Sequence, residues 1–411
     1  MKILYLAQFF DPEPVFKGLR YAKALKEKGH DVEVITGFPN YPEGKIYDGY
    51  KLSLYKKEVI EGVTVHRVWL YPNHGKSVVK RLLNYVSFFI ASLILGLLIV
   101  RRFDIIHAMH TPLNIGLSAA LFNLWGRKKL IFDIQDIWPD SLSATNMIKN
   151  KKILNIVNKL CNWTYNQADF VTVISPGFKS LLMQRGVQED KIKVIYNWSG
   201  IEGYLGTESD KYQLNKNNKA LNVLFAGNMG GAQNLTNLIN TAKILKDESI
   251  DDIEFHLIGG GLEVNDLKEQ VKNHQLSNIT FYPRVPMDKV INYISSADAV
   301  LVHLRKDPLF EITIPSKTQA YLSLGKPILI NVPGDAAKLV VDNKAGYYFE
   351  PDDPQSFKNA LIKMRGLNKT DLDYLGKNAK SFYDNELSRE VGISKFCSIY
   401  HSLNEQGIKN A

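Results

Sequence analysis

The chain reads as short apolar runs alternating with amphipathic stretches, and the pattern occurs twice. Lys2–Gln8 is an apolar run, followed by a loop and then apolar positions at helical spacing over Gly18–Lys28. Gly29-His30 closes that helix, and Asp31–Thr36 is the next strand. Val63–Trp69, Asp104–Ala108, Lys129–Asp133 and Phe170–Ile174 are further short β-branched runs with helical stretches between most of them. Strands alternating with helices predict a parallel, doubly wound sheet. A polar, Gly/Asn/Lys-rich stretch at Gly200–Lys219 interrupts the pattern, which then restarts. Val223–Ala226, Glu254–Ile258, Ile279–Tyr282, Ala299–His303, Ile328–Ile330 and Gly346–Phe349 are the strands of a second unit. The predicted domains are residues 1–199 and 220–385, with a last helix at about 386–405 packing back on the first. Two such units are expected to bind ligand in a central cleft between them, at the carboxyl ends of their strands.

One segment departs from this pattern. Leu82–Val100 contains no charged residue, with Lys76, Lys80 and Arg81 before it and Arg101-Arg102 after it. Nineteen helical residues measure about 28 Å, enough to cross hydrocarbon. Three readings are open: a buried helix of the sandwich, a helix that also enters a membrane surface, and a span. A span would put strands of one sheet on opposite sides of a bilayer. The basic flanks favour the surface reading.

Charge supports that preference. The net charge is +9 over 411 residues, but residues 1–200 hold 27 Lys and Arg against 16 Asp and Glu, whereas residues 201–411 hold 24 against 26. The basic surplus belongs to the first unit and suits an anionic membrane surface. No nucleic-acid motif of the usual spacing accompanies it. Two cysteines, Cys161 and Cys397, form neither a disulfide framework nor a metal spacing and fit a reducing compartment. No secretory signal pattern precedes the first strand.

Candidate chemistry sits mainly in the second unit. Ile314–Ile330, IPSKTQAYLSLGKPILI, places Ser316 and Lys317 at a helix start, ahead of Gly325, Lys326 and Pro327. A hydroxyl, an ammonium and a helix N-terminus at one place suit a diphosphate. Phe225–Gly231 is a strand and turn in which Gly227, Gly230 and Gly231 let backbone amides approach phosphate, and an ordinary strand-to-helix turn reads the same way. Gly259–Gly261 lacks the last glycine of a dinucleotide fingerprint, since Val264 stands there. Phe281–Pro286 presents Arg284 between two prolines. In the first unit, Gly18 starts a helix, and FDIQDIWPD carries Asp133 and Asp136 at a strand's end, where a carboxylate can accept a hydroxyl proton or simply cap a helix. His107 and His110 end the preceding strand. Asp371-Leu372-Asp373 lies in a helical region, so no metal site is expected.

Together KILYLAQFF with Gly18, GFPNYPEG at 37–44, FDIQDIWPD, VIYNWS at 194–199, FAGNMG and IPSKTQAYLSLGKPI resemble, over essentially the whole chain, a GT-B glycosyltransferase of family 4. FPNYP, NWS and PSK resemble its bacterial surface-polysaccharide subgroup (O-antigen, capsule and colanic acid), which includes fucosyl- and N-acetylfucosaminyltransferases. The resemblance implies two Rossmann-like domains and retaining, metal-independent transfer without a cofactor. It implies a nucleotide-sugar donor, UDP-linked, and a polyprenyl-diphosphate sugar acceptor. The implied location is cytoplasmic, peripheral on the inner face of the bacterial cell membrane, docked through Leu82–Val100. By the same resemblance Gly18, His110, Asp133 and Asp136 lie on the acceptor side. Gly227, Asn228, Gly230, Arg284, Ser316, Lys317 and Gln319 bind the donor, and Asp136, Lys317 and Glu311 are catalytic. Arg305 is a further cation for the leaving diphosphate. Two departures stand out. Asn228 and Gln233 occupy places where the family often has Arg and Lys. The family's paired glutamates would fall on Ile312 and Ala320, leaving Glu311 and Gln319 as neighbours. A nucleotide-sugar epimerase of the same fold and a non-catalytic synthase subunit are the alternatives, and a dehydrogenase is disfavoured by the missing fingerprint.

Overall fold

The computed structural model describes all residues except 76, 111, 145–147, 149, 205, 207–212, 217–218 and 410–411. Lys76 of the basic flank and parts of the 200–219 stretch therefore lie outside the described residues. The contacts divide the chain into residues 1–195 with 393–411, and residues 196–392.

The first unit contains β1 (Lys2–Leu6), α1 (Leu19–Glu27), β2 (Asp31–Gly37), β3 (Tyr55–Ile60), β4 (Val63–Val68), α2 (Val78–Ile99), β5 (Ile105–His110) and α3 (Leu113–Gly126). There follow β6 (Lys129–Ile134), α4 (Asp140–Ala144), α5 (Lys151–Gln167), β7 (Phe170–Val173), α6 (Pro176–Gln184) and β8 (Ile192–Val194). The strand order is β3-β4-β2-β1-β5-β6-β7-β8. All neighbours are parallel except β3 and β4, so the expected all-parallel sheet gains an antiparallel edge. Ile60 pairs with Val63, and the two residues between them, Glu61 and Gly62, both take positive φ, 45° and 82°. That backbone matches the twist of a hairpin. Its first strand, YKKEVI, carries edge charges and so escapes a search for apolar runs.

The second unit contains β9 (Leu221–Asn228), α7 (Thr236–Asp247), β10 (Ile253–Gly260), α8 (Val264–Asn273), β11 (Ile279–Tyr282), α9 (Met287–Ser296), β12 (Ala299–Val302) and α10 (Pro308–Glu311). It continues with α11 (Ser316–Ser323), β13 (Ile328–Ile330), α12 (Asp335–Val341), β14 (Gly346–Tyr348), α13 (Pro354–Arg365) and α14 (Lys369–Phe382). Its six strands run in the order β11-β10-β9-β12-β13-β14, all parallel. Separate apolar clusters cover the two faces of this sheet. A last helix, α15 (Arg389–Lys409), follows, and from Ile393 onward it belongs to the first unit.

Helix α2 answers the question left by its sequence. Only Asn84, Phe88, Ser92 and Gly96 are buried, one residue per turn. Ser92 Oγ lies 2.9 Å from Ser118 Oγ of α3, and a Cβ on Gly96 would fall 2.2 Å from the Phe122 ring. The small residues thus let α2 sit directly on α3. Asn84 joins Gln8 (2.6 Å), Asn40 (3.3 Å) and the Tyr71 carbonyl (2.8 Å), tying α2 to the ends of β1 and β2. Full burial is not what the sheet provides: 28% of the most apolar window is buried, and the face carrying Ile90, Ile94 and Leu98 is exposed. The helix is long and apolar enough to cross a membrane by length and composition. A span here would separate β4 from β5, which are members of one sheet.

Candidate active site

In the second unit Gly227, Gly259 and Lys317 come together at the carboxyl ends of β9 and β10. Gly227 and Gly259 are register partners on these strands, with φ of 147° and 143°. A Cβ on Gly259 would fall 1.9 Å from the Gly227 carbonyl oxygen, and one on Gly261 would fall 2.1 Å from that of Met229. The triple glycine is therefore a close backbone approach that shapes the β9 turn. Gly259→Ala is expected to destabilise this unit by about 1–3 kcal/mol, the usual cost of overpacking, with a matching fall in the urea midpoint of its unfolding.

Over that turn lies Lys317, in the first turn of α11. Its Nζ sits 3.7 Å from the centroid of the buried Phe225 ring. The residue keeps some exposed surface, but the ammonium nitrogen itself is enclosed and has no hydrogen-bond partner among the described residues. Burial lowers its pKa to about 7. The closest approach is over Gly227, whose absent Cβ would stand 3.2 Å from Nζ. Gly227 is itself exposed, so an anion arriving over the glycine meets the ammonium. An enclosed cation that meets a ring face and no hydrogen-bond partner among the described residues is costly. His303, on the neighbouring strand end, is kept neutral by burial, with its pKa near 4. Its Nδ1 lies 2.7 Å from the Gln233 carbonyl, and its Nε2 3.2 Å from Asn237.

The other donor-side candidates differ in what they present. Gly230 and Asn228 lie in the turn after β9. The Gln233 side-chain Oε1 accepts from Gly230 N at 3.3 Å and from Asn228 Nδ2 at 3.2 Å. The two departures from the family pattern are thus one neutral amide pair bracing the glycine turn. Ser316 is exposed at the start of α11. Gln319 is 3% exposed, and its amide donates to Pro315 O at 2.8 Å and Ser316 O at 3.2 Å, the orientation that satisfies both atoms. The donor contact expected of this side chain is therefore corrected to a local brace of the α11 start. Arg284 is exposed after β11, two strands from β9. Glu311 is exposed at the end of α10, and its carbonyl underlies Gly334. Arg305 pairs with Asp307 at 3.4 Å. Asp371 caps α14 by pairing with Asn368, which accounts for the D-x-D match.

In the first unit the acceptor-side candidates separate into buried and accessible groups. Asp133 is 1% exposed, and its Oδ2 lies 2.5 Å from the Nζ of Lys17, which is fully buried. Burial alone would raise the carboxyl pKa. The Lys17 charge and neighbouring His107 reverse that and hold it well below the usual range. His107 Nδ1 lies 2.6 Å from Tyr400 Oη of α15, and Tyr400 Oη lies 2.9 Å from Tyr21 Oη. Asp133 therefore anchors a closed polar core and does not face an acceptor. His110 is also fully buried, with burial lowering its pKa to about 4 and its ring edge-on to Tyr165. The acceptor-side placement expected of His110 and Asp133 is corrected by their burial, since both side chains lie inside the first unit.

Asp136 is different. It is half-buried in the loop before α4, and burial raises its pKa against the opposing pull of Ser141, the Ile137 amide and Trp138. A raised carboxylate near the surface suits proton acceptance. Gly18 precedes α1, where Leu19 N donates to Asp11 at 2.5 Å. A Cβ on Gly18 would collide with that carboxylate at 2.0 Å. Sequence reasoning missed Glu13, whose buried carboxylate accepts from the amides of Phe10 (2.9 Å), Asn40 (2.7 Å) and Tyr41 (2.8 Å). One side chain thus binds the loop after β1 to the FPNYP loop after β2. An isolated acidic residue between prolines, DPEP, was the only signal. Among the described residues no group of three or more His, Cys, Asp or Glu could hold a metal ion.

Comparison with known proteins bears on this arrangement. The model for glycosyl transferases group 1 matches residues 206–382, and that for the glycosyl transferase 4-like domain matches residues 19–198. The putative colanic acid biosynthesis glycosyl transferase WcaI of Escherichia coli K12 is 27% identical over 340 residues, 79% of this chain and 82% of its own length. The probable glycosyltransferase WbjE of Pseudomonas aeruginosa is 22% identical over 311 residues, covering 74% and 76%. The structure of Anabaena HepE in complex with UDP-glucose superposes with a TM-score of 0.65 at 16% identity, covering 98% of this chain and all of that one. Two parallel-sheet Rossmann-like units, each matched by its own transferase domain model, make this chain a glycosyltransferase of GT-B type.

Proposed function

We propose that the protein transfers one sugar, with retention of configuration, from a UDP-sugar to a polyprenyl-diphosphate-linked sugar in surface polysaccharide assembly. The observation that carries the donor half is the enclosed Lys317 ammonium beside exposed Gly227, with no hydrogen-bond partner among the described residues. A donor diphosphate over Gly227 pairs that charge. When the sugar–phosphate bond breaks, the same ammonium stabilises the negative charge left on the diphosphate. Ser316 adds a hydroxyl and Arg284 a second cation. HepE has been solved with UDP-glucose, which supports a uridine donor here. No metal or cofactor is required by this scheme.

Asp136 orients the acceptor hydroxyl and takes up its proton. The relation to WcaI supports a surface-polysaccharide acceptor, an N-acetylated deoxyhexose such as L-FucNAc being the sugar we favour. The exposed apolar face of α2, with Lys80 and Arg81 at one end and Arg101 and Arg102 at the other, supports peripheral contact with the inner face of the bacterial membrane. The test is transfer from a panel of UDP- and GDP-sugars to lipid extracts bearing polyprenyl-diphosphate sugars. Transfer from one UDP-sugar is expected. Asp136→Asn is expected to lower kcat about 10²–10⁴-fold, the range for a general base, with nucleotide binding intact. Full activity in that variant would remove Asp136 from the chemistry, and turnover of no UDP-sugar would refute the donor assignment.

A further inference from the structure

One cluster on the first unit has no part in the transfer step of this scheme. The loop after β4 and the first turns of α2 bring His74, Arg81 and Tyr85 beside Phe9 and Tyr41. The rings of Phe9, Tyr41 and His74 pack on one another with centroids 5.0 to 5.4 Å apart. The Arg81 charge acts on both His74 and Tyr85. Tyr85 in turn meets Trp138, in the loop of Asp136, at 6.5 Å between ring centroids. Two nitrogens here, Arg81 Nε and His74 Nε2, are enclosed and have no partner among the described residues. Burial and the nearby guanidinium lower the His74 pKa, so its imidazole is neutral at neutral pH. Enclosed polar nitrogens are nearly always paired in folded proteins, so two orphans among aromatic rings mark a place for a ligand.

An apolar track starts at the same spot. One residue beyond Arg81, α2 exposes Leu82, Val86, Ile90, Ile94 and Leu98, one per turn. From Leu82 to Leu98 the track runs about 24 Å at 1.5 Å per residue. A directed guanidinium recognises phosphate oxygens better than a diffuse surface potential does. Aromatic rings beside it suit the face of a sugar, and the track suits a hydrocarbon chain.

We infer that Arg81 and His74 form the subsite for the diphosphate of a lipid-linked acceptor, with its isoprenoid chain lying along the exposed face of α2 and its first sugar on the rings that lead to Asp136. The inference rests on the lipid-linked acceptor proposed above and says where that acceptor is held. A soluble anion could use the same nitrogens, but only a lipid also uses the track.

The test compares binding to phosphatidylcholine vesicles carrying undecaprenyl diphosphate with binding to vesicles carrying a charge-equivalent amount of phosphatidylglycerol. The wild-type protein is expected to prefer the diphosphate lipid about tenfold or more, the value of a charge-assisted contact. Arg81→Gln is expected to lose the preference but still bind both vesicles, and Arg81→Lys to keep part of it. Ile90→Glu is expected to weaken binding to both. A wild-type protein without preference, or an Arg81→Gln variant that keeps it, overturns the subsite. Inorganic pyrophosphate that binds as tightly as the lipid overturns it as well. UDP-induced thermal stabilisation, measured on the same samples, shows that each variant is folded. Its absence from the wild-type protein would count against the donor reading and not against this one.

Discussion

Lys317→Met is expected to raise the thermal stability of the ligand-free protein and to abolish its stabilisation by UDP. The two effects have one cause. The ammonium is enclosed over Phe225 with no hydrogen-bond partner among the described residues, and an unsatisfied buried polar group costs about 1–3 kcal/mol. A thioether of similar length fills the space without that cost. In the wild-type protein a bound diphosphate repays it, and ligand at a hundredfold excess over Kd adds about 2.7 kcal/mol of apparent stability. Losing the charge that meets the leaving group is expected to reduce kcat about 10²–10³-fold, as for other preorganised donors. A structural lysine would behave oppositely, with lower stability and an unchanged nucleotide response. Differential scanning fluorimetry with and without UDP separates the two outcomes.

The same ammonium gives a pH signature. Its free pKa is about 7 because burial disfavours the charge, and a bound diphosphate favours the charge and raises that value. Binding above pH 7 therefore takes up a proton. UDP affinity is expected to be flat below about pH 7 and to fall by up to about tenfold per pH unit above it, until the pKa of the complex is reached. Lys317→Met is expected to remove this slope.

Asp133→Asn is expected to produce the largest loss of stability. It leaves the fully buried Lys17 charge without its counter-ion, and breaking one side of a buried pair costs about 3–5 kcal/mol. The damage reaches α15, because His107 and Tyr400 complete the same network. Removing both charges, in Lys17→Met with Asp133→Leu, is expected to cost less than either single change, since no isolated charge remains. The Asp133 pKa is depressed, so its stabilisation is present above the unfolded value of 3.8 and is lost as pH falls below it. Urea unfolding followed by tryptophan fluorescence measures Asp133→Asn, the double variant and its two single changes. A small effect of Asp133→Asn, with activity lost, would return Asp133 to the acceptor site.

The sequence located most strands, because short β-branched runs bounded by turns must be buried on both faces of a parallel sheet. It missed β3, whose edge position tolerates Lys56, Lys57 and Glu58. It located the β9 turn and the α11 start because glycines and a helix-start lysine leave local marks. It did not foresee that Phe225 would be the floor beneath Lys317. It grouped Asp133 with Asp136, which are three residues apart, whereas the structure gives them opposite surroundings.

By itself the sequence determined the two-unit α/β plan, the glycine turns and the long apolar helix, since each follows from periodicity or from what one backbone position allows. The tertiary structure alone decided which charges are usable. Lys17 and Lys317 look alike along the chain, but burial and the distance to a counter-charge set their roles. Lys17 is neutralised by Asp133 inside the first unit, and Lys317 is enclosed over Phe225 with no hydrogen-bond partner among the described residues. Such differences depend on desolvation and on contacts between residues far apart in sequence, which no local pattern encodes.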